Sequence, residues 1–149
     1  MTIRNIDSLR NHLQWAVQIE HTTFPPYLCA LYSIKDGHNH EAAEILNSIF
    51  MEEMLHMTLA ANILNAIGGN PQIDKPDFIA TYPSYLPHSD RSFQVSLGKF
   101  CKPVIETMIK FEKPEAVGAP AEDDNYETFG QFYDAIEKGL IHLSKELGP

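Results

Sequence analysis

The sequence has little cysteine, little positive charge and no long apolar run. Its two cysteines, Cys29 and Cys101, lie far apart and form no CxxC pair, so neither a disulfide framework nor a thiolate zinc site is expected, and both read as small buried apolar residues. Eleven lysines and arginines face twenty aspartates and glutamates, a net charge of −9. That balance argues against nucleic acid and anionic membrane as partners and suits cations. No stretch reaches the roughly 18 apolar residues that a membrane-spanning helix needs. Residues 1–5 lack an apolar signal core, so a cytoplasmic protein is expected. What remains is ordinary globular composition, 44% hydrophobic and 21% charged over 149 residues, which predicts a single domain over 1–149.

Apolar residues recur at helical spacing over 7–34, at Leu9, Leu13, Ala16 and Ile19 and again at Tyr27, Leu28, Leu31 and Ile34. Asp7 is placed to cap this helix and Gly37 lies past its end. Pro25 and Pro26 each remove a backbone donor and crowd the preceding turn, which predicts a kink or a break into two helices. A second helix is expected after Asn39 as cap, with Glu41 and Glu44 at its positive end. Its stripe of Leu46, Ile49, Phe50, Met57, Ala60, Ile63, Leu64 and Ile67 stops at Gly68-Gly69.

Over 70–98 the period disappears and Pro71, Pro76, Pro83 and Pro87 alternate with Tyr82 and Tyr85. A connection of this length serves as a crossover, a lid or a binding element, and Phe93, Val95 and Leu97 alternate within it as a short strand would. A third helix is expected from Pro103 to Lys113, burying Ile105, Met108, Ile109 and Glu112. An exposed linker follows over 115–125, then a fourth helix from Thr128 with Phe129, Phe132, Tyr133, Ile136, Leu140 and Leu143 on one face. The sum is all-α: a ferritin-like four-helix bundle with a kinked first helix and a long irregular crossover between helices 2 and 3.

Some carboxylates fall on the buried stripes. Glu20 continues Leu9, Leu13 and Ala16 at i, i+4, i+7 and i+11, and Glu53 sits between Phe50 and Met57 with His56 three residues on. Glu112 lines up with Ile105, Met108 and Ile109, whereas Glu106 points away. A buried unpaired carboxylate costs several kcal/mol, roughly, and three converging acids repel, so a cation between them is the economical expectation. Glu20, Glu53, His56 and Glu112 are therefore the predicted metal ligands. Carboxylate oxygen with imidazole nitrogen suits iron, with manganese or zinc as alternatives, and a Glu-x-x-His pair is the ligand geometry of ferritin-like di-metal proteins.

The other titratable residues read as structural. Glu52 faces solvent or supports the ligands from behind, His21 diverges from Glu20, His38, His40 and His88 sit in loops, and His12 and His142 face outward. Met51, Met54 and Met57 read as packing residues. Helix 4 offers no second inward Glu-x-x-His: Gln131 follows Thr128 at capping-box spacing, Glu137 borders the apolar face and His142 is rotated away. The centre is thus mononuclear, dinuclear with one side missing, or a relic.

The runs Gln18-Ile19-Glu20-His21, Pro25-Pro26-Tyr27-Leu28, Glu52-Glu53-Met54-Leu55-His56-Met57 and Ala66-Ile67-Gly68-Gly69-Asn70-Pro71 resemble the ferritin-like domain of the iminophenylpyruvate dimer synthase family. Phe111-Glu112-Lys113-Pro114-Glu115 and Thr128-Phe129-Gly130-Gln131-Phe132-Tyr133 extend the resemblance over nearly the whole chain. That family serves bacterial bis-indole pigment pathways, in which an imine from an aromatic amino acid is oxidatively dimerised. The resemblance implies metal ligation by Glu20, Glu53, His56 and Glu112; it does not imply the dimerisation, because the pathway synthases are much longer, and Gln131 stands where the family usually has Glu.

Two function classes follow. The first is a non-haem iron (or manganese) oxidoreductase acting on a small organic substrate, a small aromatic one among the candidates, beneath the 70–98 connection, with Tyr82 or Tyr85 at the pocket. The second is a non-catalytic metal-binding or structural module, and homo-oligomerisation is expected in either case.

Overall fold

The computed structural model describes residues 3–147. Four helices carry the fold: α1 (Ile6–Tyr32), α2 (His40–Ala66), α3 (Lys102–Phe111) and α4 (Phe129–Leu147). Among the described residues there is no extended strand, only the isolated bridges Ser84 with Val95 and Ser89 with Tyr126. The alternation at Phe93, Val95 and Leu97 thus makes one bridge instead of a strand: Val95 is buried while Leu97 is 46% exposed. The 67–101 connection is otherwise irregular, with a single 3-10 turn at Pro76–Phe78.

Helix α1 does not break at its prolines; it runs unbroken to Tyr32. Pro26 has no N–H for the carbonyl of Thr22 four residues back, and a fully buried orphan carbonyl is costly. The Tyr82 hydroxyl, from the crossover, donates to that oxygen at 2.7 Å. The cap of α1 is Asn5, whose side chain accepts from Ser8 N at 2.8 Å, so Asp7 lies inside the first turn. Asn39 does precede α2, but in the left-handed region (φ 47°) and without a side-chain cap bond.

The end of α2 falls where the glycine pair predicts. Gly68 (φ +73°) donates to Asn65 O at 3.0 Å and Gly69 to Leu64 O at 2.8 Å, a Schellman closure. Arg10 then donates through Nε and Nη2 to Ile67 O at 3.1 and 2.7 Å, pinning this end to α1. Thr128 and Gln131 form the expected capping box at the start of α4: Gln131 Oε1 accepts from Thr128 N at 3.2 Å, and Thr128 Oγ1 accepts from Gln131 N at 3.4 Å.

Helix α1 is central, packed on one side by α2 and on another by α4, which barely touch each other. One cluster joins Leu9, Leu13, Ala16 and Val17 to Ala60, Leu64, Phe132 and Ile136. A second joins Tyr27, Ala30 and Leu46 to Met108, Phe111 and the crossover residues Leu86 and Val95. Helix α3 presents Met108 and Phe111 to this cluster, and Ile109 is 62% exposed, contrary to its expected burial. The buried face of α3 runs instead through Met108 and Phe111, whose ring meets Tyr27 edge-on.

Candidate metal centre

Glu20 lies where the stripe of Leu9, Leu13 and Ala16 carries it, 2% exposed in the middle of α1. Its Oε1 accepts a hydrogen bond from the Tyr133 hydroxyl of α4. Its Oε2 is buried and has no hydrogen-bond partner. Glu53, 4% exposed, is held on α2 seven residues after Leu46 and seven before Ala60, both buried against α1. One turn on, His56 Nδ1 lies 3.5 Å from Glu53 Oε1 and 3.8 Å from Glu20 Oε2. One ligand atom from each of Glu20, Glu53 and His56 lies within 4.8 Å of the others.

Thr23 contributes a third polar contact. Its Oγ1 lies 2.7 Å from the Glu20 carbonyl and 2.8 Å from Glu53 Oε2. The hydroxyl is the donor toward both oxygens, which share its single proton. Burial, then the charges of Glu20 and Glu112, push the Glu53 carboxyl up to about 8, against the opposing hydrogen bond from Thr23. The contact with Glu20 lifts the His56 imidazole to about 9, against the opposing effect of burial. Burial and the neighbouring Glu20 hold the Tyr133 phenol well above its usual range, so it remains a donor.

At neutral pH the metal-free site therefore holds protons on Glu53 and His56. A cation would replace those two protons and supply the partner that Glu20 Oε2 lacks. Two carboxylates and an imidazole form an O, O, N donor set, which fits iron, manganese or zinc.

Glu112, the fourth expected ligand, is exposed as a residue, and its carboxylate turns to accept from the Tyr27 hydroxyl. Burial of that carboxyl end raises its pKa, and the Tyr27 hydrogen bond opposes the rise. It stands at the C-cap of α3, outside the close trio of Glu20, Glu53 and His56. Tyr82 is committed to the backbone of α1, and Tyr85, 39% exposed, lies beneath the Arg91 guanidinium at 5.9 Å.

His12, expected to face outward, is instead 6% exposed, with Nδ1 2.7 Å from Ser8 O and Nε2 3.7 Å from Asp123 of the 115–125 linker. The linker and α4 cover a face of α1 that its own periodicity marks as outer. His88 of the crossover stacks on Trp15 at 3.6 Å. Cys29 and Cys101, both expected to be buried, are exposed and half-buried respectively. Glu52 is exposed as expected. The side chains that periodicity assigned only to packing are Tyr27 and Tyr133, whose hydroxyls orient Glu112 and Glu20; the available signal was that a core tyrosine needs a polar partner.

Because α2 and α4 flank α1 without closing on each other, a cavity of about 320 Å³ opens between them. Leu13, Leu59, Ile63 and Ile136 line it together with His56 and Tyr133, so its polar groups belong to the centre. The His56 side chain is 49% exposed on this open side. Against known proteins, a family model described as ferritin-like matches residues 13–148. No curated protein and no solved structure matches the chain.

Proposed function

Since the chain belongs to the ferritin-like family, we propose that it is a metal-binding member of that family in which Glu20, Glu53 and His56 hold an iron ion, with Glu112 as a fourth ligand. The observation that carries this reading is the buried, partnerless Oε2 of Glu20 beside a second carboxylate and an imidazole. Manganese and zinc suit the same donors. A bound iron supplies redox chemistry toward dioxygen or peroxide.

The chain's own residues set the conditions for that chemistry. Tyr133 holds Glu20 Oε1, which leaves Oε2 turned to His56 and Glu53. Thr23 fixes Glu53 from the far side. Tyr27 restrains the Glu112 carboxylate at the end of α3. The cavity beside His56 and Tyr133 has an apolar wall, which supports an oxidoreductase acting on a small organic substrate, a flat aromatic molecule among the sizes that about 320 Å³ admits. The motifs shared with the iminophenylpyruvate dimer synthase family support a kinship with that family and a role in secondary metabolism.

Metal analysis of protein purified without a metal-affinity tag tests the reading. Stoichiometric iron or manganese in the wild type, lost in Glu53→Ala with His56→Ala, is the expected result. A folded wild type that carries no metal and takes up no added Fe(II) would leave a structural module.

A further inference from the structure

The cavity between α2 and α4 has walls of one character and a rim of another. Apolar side chains make the walls: Leu13 of α1, Leu59, Ala60 and Ile63 of α2, and Ile136 of α4. Leu59 and Ile63 are 50% and 38% exposed, so this apolar face of α2 is open to a molecule arriving from solvent. Two glutamates stand at the edges. Glu52 lies one turn before His56 and continues the α2 stripe of His56, Leu59 and Ile63. Glu137 follows Ile136 and lies one turn after Tyr133 on α4. Both are exposed, and neither forms an ion pair among the described residues.

Cations around the cavity are few and already engaged. Helices α1, α2 and α4 together hold nine aspartates and glutamates but only three lysines and arginines. Arg10 binds Asp7 and the Ile67 carbonyl, and Lys138 binds Asp134. Lys145 stands twelve residues beyond Tyr133, about 18 Å along α4. The remaining cation is His56 itself, whose Nδ1 is turned to Glu53 and Glu20. A divalent metal would replace the two protons of Glu53 and His56 and so leave the total charge of the trio unchanged. The two rim glutamates therefore set the sign at the mouth, with the metal or without it.

We propose that the cavity takes an aromatic amine, with its ring against Leu13, Leu59, Ile63 and Ile136 and its ammonium group held by the acidic rim of Glu52 and Glu137, and that this rim turns away aromatic acids. The proposal names a substrate class for the oxidoreductase reading and rests on that reading for the role of the cavity. A space of about 320 Å³ admits a molecule of one or two rings, and the Tyr133 and His56 rings add aromatic contacts to the apolar burial. An ammonium group gains the attraction of two unpaired carboxylates while it stays partly in water. A carboxylate at the same place meets two like charges and no free cation, so discrimination comes from repulsion as much as from attraction.

Calorimetric titration of the full chain tests the proposal, after treatment with chelator so that no probe can coordinate a metal. The probes share a ring and a two-carbon spacer: 2-phenylethylamine, 2-phenylethanol and 3-phenylpropionate. At neutral pH and low salt the amine should bind tightest and the acid weakest, each step about fivefold, the scale that exposed charge pairs supply. Glu52→Gln with Glu137→Gln should bring the amine down to the level of the alcohol and leave the alcohol unchanged. Leu59→Trp, which fills the cavity, should abolish binding of all three. Should that variant not fold, a shift of the His56 ring signals in the proton NMR spectrum of the wild type on adding the amine locates the probe.

An acid that binds as tightly as the amine overturns the proposal. So does an amine whose advantage survives the double Gln variant, one that binds Leu59→Trp unchanged or leaves the His56 signals unmoved, or a wild type that binds none of the three at about 10 mM. An alcohol that binds as well as the amine removes the amine alone and leaves the cavity as a site for neutral molecules. Metal content of the same preparation before chelation reads the metal centre separately.

Discussion

At the scale of single residues, the centre is defined by where protons sit. In the unfolded chain Glu53 titrates near 4.5 and His56 near 6.5; in the folded chain they are raised to about 8 and about 9. A group whose pKa rises on folding stabilises the fold below its unfolded value and loses that contribution as pH climbs through the folded value. The metal-free protein should therefore lose stability between about pH 6.5 and 9. Above 6.5 the half-buried His21 and His88, whose pKa values burial lowers, are neutral and add no opposing slope. Urea unfolding across this range checks the trend, and Glu53→Gln, which cannot ionise, should flatten it. A slope of the same steepness in the variant would place the proton elsewhere.

At the scale of elements, α1 is the scaffold, and its continuity depends on a residue far away in sequence. The periodicity over 7–34 predicts the helix, and the proline pair predicts its weak point. Only the folded chain shows the repair, in which Tyr82 reaches back from the crossover to the buried carbonyl of Thr22. Tyr82→Phe removes that donor and should cost about 1–3 kcal/mol of stability, read by chemical denaturation. A neutral result would mean that the Thr22 carbonyl has another partner. Helix α3 shows the opposite limit. Its ten residues contain both a stripe through Ile105 and Ile109 and one through Met108 and Phe111, and the position of Tyr27 and Leu46 selects the second.

At the scale of the whole molecule, metal binding and folding are linked. A cation that binds only the folded chain stabilises it in proportion to the logarithm of its concentration, by about 2.7 kcal/mol at a hundred times its dissociation constant. Fe(II) or Mn(II) should therefore raise the thermal midpoint, and more so at pH 8 than at pH 6, because binding must displace the protons on Glu53 and His56. A midpoint indifferent to both metals at pH 8 would count against the centre. The sequence by itself determined the four helices, the Gly68-Gly69 stop, the capping box at Thr128 and the inward direction of Glu20 and Glu53, because each is written in local periodicity or turn chemistry. Tertiary structure alone decided that Tyr133 and Tyr27 orient the carboxylates, that His12 is covered, and that α2 keeps an open apolar face. Those outcomes depend on which helices meet and how closely, and contacts between residues a hundred positions apart leave no mark in the spacing of either one's neighbours.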